Sequence, residues 1–118
     1  MKSIEVRLRI HFGSRLAIGP GRIELLEGVR RTGSLAEAAR AMHMSYRRAW
    51  LLMQSLNGSL RSPASIPARG GSKGGGATVT SMGLALIRTY RQMEANSVRE
   101  ARRRFAKFAR APVGKASK

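Results

Sequence analysis

The sequence predicts a mainly α-helical domain with a small β wing, on three observations. Apolar residues recur at helical spacing in four stretches between residues 22 and 110. Two of those stretches are separated by only a few residues, and each is opened by a serine. A proline- and glycine-punctuated segment from Pro63 to Thr80 interrupts the helices and ends strand-like. A chain of 118 residues makes about one domain. With 42% apolar but only 5% aromatic residues, Leu, Ile, Val, Met and Ala must fill its core.

Taken in order, Glu5 to Phe12 alternates polar and apolar, with Val6, Leu8, Ile10 and Phe12 on one face, which predicts a half-buried strand. Gly19-Pro20-Gly21 breaks it, and Pro20 suits a helix start. A first helix follows from Arg22 to about Arg31, carrying Ile23, Leu26 and Val29 as its stripe and Gly33 as its stop. Ser34-Leu35-Ala36-Glu37 has the form of a capping box, in which serine and glutamate satisfy each other's free backbone donors. Leu35, Ala38, Ala39 and Met42 then mark a short second helix.

Ser45 caps a third helix from Tyr46 to Leu60, with Ala49, Leu52, Met53, Leu56 and Leu60 on one face. Two helices joined by so short a turn define a helix-turn-helix, and Ala36, Ala38, Ala39 and Ala41 thin the surfaces that cross. Pro63 to Arg69 and Ala77 to Thr80 form the arms of a hairpin tipped by Gly70 to Gly76, a wing in which Pro67 needs an edge position. Thr80 or Ser81 caps a last helix from Met82 toward Arg110, with Leu86, Tyr90 and Met93 inward. Val98, Ala101, Phe105 and Phe108 follow at 3-4-3 spacing as a helix-pairing seam. The expected organisation is a winged helix-turn-helix over residues 1–93, a continuation of the last helix over 94–110 with a candidate dimerisation seam, and a basic disordered tail over 111–118.

Charge points to the partner. Lys and Arg number 23 against 6 Asp and Glu, a formal net charge of +17, and such a chain binds polyanions with release of counterions. No acidic residue falls between Glu37 and Glu94, so the helix-turn-helix and wing read as purely basic. A second basic run extends from Arg99 to Lys118.

No apolar run approaches the ~18 to 20 residues that span a bilayer, and Met1 to Glu5 lacks a signal-peptide core, so a cytoplasmic, nucleoid-associated protein without membrane contact is expected. With no Cys, two separated His and scattered carboxylates, neither a catalytic site, nor a metal, nor a cofactor is expected. Gly70 to Gly76 does not form a nucleotide-phosphate loop, because Lys73 precedes Gly74 where such loops carry Ser or Thr.

In a helix-turn-helix the start of the second helix reaches base edges in the major groove. The apolar face of the third helix turns Arg47 and Gln54 away from the core, with Arg48 and Trp50 toward the flanks. Arg47 suits a bidentate contact to guanine, while Ser45, Tyr46 and Arg48 suit phosphates or neighbouring bases. Arg40, Arg69 and Lys73 complete the DNA-binding set. For each arginine the competing reading is a solvated charge, and Trp50 reads chiefly as a structural anchor between helices.

Ala17 to Gly21, Gly33 to Met42, Met44 to Trp50 and the Gly70 to Thr80 wing together resemble the N-terminal DNA-binding domain of ModE-type molybdate-responsive regulators, over roughly residues 5 to 93. The alanine-rich helix is shared with LysR-type regulators. The resemblance implies a winged helix-turn-helix homodimer on a palindromic site in double-stranded DNA, with reading helices about 34 Å apart. It implies Ser34 to Met42 as the supporting helix and Ser45 onward as the reading helix, and it suggests a link to molybdate metabolism. The molybdate-binding domains that such regulators carry C-terminally are not expected within these 118 residues, and no effector ligand follows from the sequence. The alternative is a sequence-blind nucleoid-architectural or RNA-binding protein driven by the basic tail.

Overall fold

The computed structural model describes residues 4–13, 16–68 and 76–110. Its elements run β1 (Ile10–Phe12), β2 (Leu16–Ile18), α1 (Pro20–Thr32), α2 (Leu35–Ala41), α3 (Tyr46–Ser59), β3 (Ser65–Pro67), β4 (Ala77–Val79) and α4 (Ser81–Phe105), then one 3-10 turn at Ala106–Phe108. The result is the mainly α winged helix-turn-helix that the sequence predicts.

Helix α1 is the centre of the core. Pro20 opens it with its φ already helical, and Gly33 closes it at φ 73°, donating its N–H to the Val29 carbonyl at 2.7 Å. Ile23, Leu25, Leu26, Gly28 and Val29 are all buried, a face wider than the expected stripe because other elements pack on α1 from several sides. Ala38 and Ala39 of α2, Ala49, Met53 and Leu56 of α3, and Ile87 and Tyr90 of α4 close the core around it.

The alanines are used differently from expectation. Ala38 and Ala39 are buried, but Ala36 and Ala41 face solvent. The closest approach is between α2 and α1, where a Cβ on Gly28 would lie 2.8 Å from the Ala38 Cβ. The capping box is likewise half formed. Ser34 Oγ accepts from the Glu37 amide at 3.1 Å, whereas the Ser34 amide donates to Thr32 Oγ1 at 3.2 Å and the Glu37 carboxylate turns to Arg40.

Expectations at both ends of the chain are corrected. Of the strand predicted over residues 5–12, only Ile10–Phe12 enters a sheet, paired antiparallel with β2 in the register Ile10↔Ile18 and Phe12↔Leu16. Residues 4–9 lie outside either sheet, and Leu8 offers its carbonyl to the Tyr90 hydroxyl at 2.8 Å. Phe12 is exposed because the ladder ends there, at the turn through Gly13. The strand β2 was not expected at all.

The last helix is capped by Thr80, whose Oγ1 accepts from the Gly83 amide at 3.1 Å, and it ends at Phe105 instead of near Arg110. Its inward residues are Gly83, Ile87 and Tyr90, with Leu86 half-buried and Met93 exposed. Gly83 sets this register, since the chain reversal at Ala64 sits directly against it. The residues of the candidate seam lie in two different surroundings. Val98 lines a shallow groove with Ile4 and Val6, while Phe105 and Phe108 are exposed and pack on each other as tilted rings with centroids 5.7 Å apart, the 3-10 turn having taken Phe108 out of the helical register.

Candidate nucleic-acid interface

The helix-turn-helix proper is α2, the turn at Met42 to Met44, and α3. His43 takes a left-handed φ of 56° in that turn, the one non-glycine residue among those described to do so. Three consecutive amides then bond back into α2: Met42 to Ala39 O, His43 to Arg40 O and Met44 to Ala39 O, at 3.0, 3.0 and 2.9 Å. Ser45 Oγ caps α3 by accepting from the Arg48 amide at 3.1 Å.

Burial of Ala49, Met53 and Leu56 turns the opposite face of α3 outward. Tyr46, Arg47, Arg48 and Gln54 are all exposed there, as is Ser45 just before them. Arg48 lies on the flank away from the wing, beside Leu51 and Leu52. Trp50 is 43% exposed, which corrects its reading as an anchor between helices. The core positions on α3 are filled by smaller side chains, and the indole instead lines a cleft with Tyr46 and Gln54 on one side and Ile66, Pro67 and Ala77 on the other.

The other walls of that cleft belong to the wing. Strands β3 and β4 pair antiparallel with Ser65↔Val79, Ile66↔Thr78 and Pro67↔Ala77, so Pro67 sits at the end of a two-stranded ladder. The wing is tied to the body where the Ala77 amide donates to Gly33 O at 2.9 Å, and its two arms are joined at the base by the Thr80 amide donating to Ala64 O at 2.9 Å and Thr80 Oγ1 donating to Pro63 O at 2.7 Å. Arg69, Lys73 and the glycine tip through Gly75 lie outside the described residues.

Sequence reasoning missed the side chain that joins α3 to the wing. Asn57 Oδ1 accepts from the Ala64 and Ser65 amides at 2.8 and 3.3 Å, and its Nδ2 donates to Ser65 O at 3.1 Å. In the sequence it falls within the third helix as one polar residue beside Gly58. The missed signal is the short spacing to Pro63-Ala64, which needs a local side-chain acceptor once the helix has ended.

Charge is also distributed less evenly than the sequence implies. Arg91 grips Glu27 of α1 with two bonds of 2.9 and 2.7 Å and reaches Glu94 at 2.7 Å, so it serves to hold α4 on α1. Arg91 Nη1 and Nη2 are thus occupied, and the guanidinium pKa is driven further up by the hydrogen bonds it donates to Glu27 and then to Glu94. Arg22 bonds to Ala17 O at 2.9 Å and to Ser55 Oγ at 3.3 Å, bridging β2 and α3; burial, then the neighbouring charge of Arg9, lowers its pKa. Arg40 is exposed on α2 but paired with Glu37 at 2.6 Å. The helix-turn-helix is therefore basic chiefly through Arg47 and Arg48, not uniformly.

No helix among the described residues is long and apolar enough to cross a membrane. Among the same residues no cluster of three or more His, Asp or Glu is placed to hold a metal ion.

No family model matches the chain. Individual proteins do. The molybdenum-pterin-binding protein MopB of Rhodobacter capsulatus is 42% identical over 83 residues, 70% of this chain and 30% of MopB. The transcriptional regulator ModE of Haemophilus influenzae is 32% identical over 94 residues, covering 80% of this chain and 37% of the relative. The DNA-binding transcriptional dual regulator ModE of Escherichia coli K12 is 33% identical over 86 residues, 73% of this chain and 33% of that protein. This chain thus spans about a third of the length of the curated relatives it matches. Among solved structures, the CbnR DNA-binding domain in complex with DNA superposes with a TM-score of 0.58 at 21% identity, covering 75% of this chain and 97% of that one. At 21% identity that likeness is one of fold alone. Sequence and fold together make the matched residues a winged helix-turn-helix domain of the ModE type.

Proposed function

We propose that this chain is a transcription regulator that binds double-stranded DNA sequence-specifically, inserting the N-terminal half of α3 into the major groove. The observation that carries the reading is the outward presentation of Tyr46, Arg47, Arg48 and Gln54 on a helix capped at Ser45 and fastened to the wing by Asn57. Arg47 is the candidate reader of guanine, Gln54 can address adenine, and Ser45, Tyr46 and Arg48 face the flanking bases and phosphates. Arg40, Arg69 and Lys73 add phosphate contacts in this reading. Support comes from the ModE-named relatives and from structural neighbours solved with DNA.

The proposal extends to a homodimer on a palindromic operator, paired along the seam of Val98, Ala101, Phe105 and Phe108 at the end of the chain's last helix and the turn after it, and to a role in molybdenum metabolism, which the names of the relatives suggest. A second reading, sequence-blind binding to duplex or RNA, is favoured by one observation: Arg99, Arg103 and Arg104 are exposed along the end of α4, and Lys107 in the 3-10 turn after it. Competition between a duplex enriched from genomic DNA, a scrambled duplex and structured RNA separates the two. Strong preference for the enriched duplex supports the first, and equal competition by all three supports the second.

A further inference from the structure

The outward surface of α3 is less polar than the charge of the chain suggests. Leu51 lies between Arg47 and Gln54 on the face turned from the core and is 49% exposed. Tyr46 and Trp50, 56% and 43% exposed, form the neighbouring wall of the cleft that Ile66, itself 44% exposed, closes from the wing. Isolated exposed apolar residues are ordinary, but here they share the surface that carries the candidate base readers. A polyanion offers them little unless it presents an apolar group of its own.

In the major groove only one base does so. Guanine, adenine and cytosine show donors and acceptors, whereas thymine adds a C5 methyl. We infer that Trp50 and Leu51 are specificity-determining residues that select thymine by packing against its C5 methyl. Leu51 addresses base pairs beside the one facing Arg47, and Trp50 addresses a thymine nearer the wing, with Tyr46 and Ile66 excluding water around it. This inference rests on the proposal that α3 reads duplex DNA.

The test removes the methyl and nothing else. Duplexes enriched by the full chain from a random-sequence library are remade with deoxyuridine replacing thymine at single positions, which keeps pairing and every polar group. Burial of one methyl is worth about a fourfold change in affinity, so that loss is expected at two or more positions. Leu51→Ala and Trp50→Phe are expected to bind thymine and deoxyuridine duplexes alike at their respective positions. Trp50 is the one tryptophan of the chain, so its fluorescence should shift on the thymine duplex and less on the deoxyuridine one. Equal affinity of the unaltered chain for both duplexes would overturn the inference while leaving DNA reading intact, and so would a deoxyuridine penalty that both variants retain. Failure to enrich any duplex from the library would remove the DNA-reading proposal and this inference with it. The comparison on the unaltered chain needs no variant to fold.

Discussion

Asn57 Oδ1 accepts the Ala64 amide at 2.8 Å, and with two further bonds to Ser65 this single side chain sets where the wing stands relative to α3. Removing it leaves two part-buried backbone donors and one acceptor without a partner, at a cost of about 1 to 3 kcal/mol. Asn57→Ala should lower the urea midpoint accordingly. Asn57→Asp keeps the oxygen that receives Ala64 and should fall between Ala and the native chain. An unchanged midpoint for Asn57→Ala would show that the wing is held by its other ties alone.

Gly83 should resist even alanine. Within a helix, alanine is ordinarily favoured over glycine by about 1 kcal/mol. Here the new Cβ would stand 2.2 Å from the Ala64 carbonyl oxygen, a backbone atom already accepting the Thr80 amide and therefore unable to retreat. The clash outweighs the propensity gain, so Gly83→Ala is expected to destabilise by about 1 to 3 kcal/mol. A rise in Tm would contradict the packing described.

The turn of the helix-turn-helix makes a prediction of the opposite sign. His43 holds φ 56°, where a Cβ is disfavoured and a β-branched one more so. His43→Gly should be neutral or stabilising by up to about 1 kcal/mol, since relief of strain is partly offset by the freer unfolded chain. His43→Val should destabilise by about 1 to 2 kcal/mol. Thermal melts of the pair decide the matter, and a more stable valine variant would contradict the turn geometry.

The Glu27–Arg91 clamp should be visible in the pH dependence of stability. Hydrogen bonding from Arg91 holds the Glu27 carboxyl below its ordinary value of 4.5, against the opposing effect of burial. Because the native value is the lower one, the clamp contributes in full above about pH 4.5 and is lost as pH falls through the native value. Both side chains remain about one-third exposed, so its contribution is screened to about 1 kcal/mol or less. Glu27→Gln should therefore destabilise at pH 7, and the difference from the native chain should shrink progressively below pH 4.5. A penalty that is constant across that range would contradict the clamp.

Much of the fold is legible in the sequence because its signals are local. Serine caps at Ser34 and Ser45, the glycine stop at Gly33 and the proline-glycine punctuation of the wing each act within a few residues. What the sequence hides depends on distant partners. Periodicity alone does not distinguish the Gly83-Ile87-Tyr90 stripe of α4 from the neighbouring Leu86-Tyr90-Met93 stripe; contact with Ala64 and the bond from Tyr90 to Leu8 decide it. Arg91 reads as one more free cation until Glu27, 64 residues earlier, is placed beside it. Trp50 reads as an anchor between helices, yet smaller residues on the inner face of α3 already fill that space. The outward residues of α3 were legible because the inward ones were.

The central claim, that α3 reads base sequence through Arg47, is tested most directly by measuring Kd for a library-enriched duplex and a scrambled one, with the native chain, Arg47→Ala and Lys73→Ala side by side. Arg47→Ala is expected to lose about 1 to 3 kcal/mol on the enriched duplex, to relax the preference at one base pair and to leave the scrambled duplex unaffected, whereas Lys73→Ala should weaken both duplexes alike. Loss of equal size on both duplexes for Arg47→Ala, or no loss on either, would contradict it.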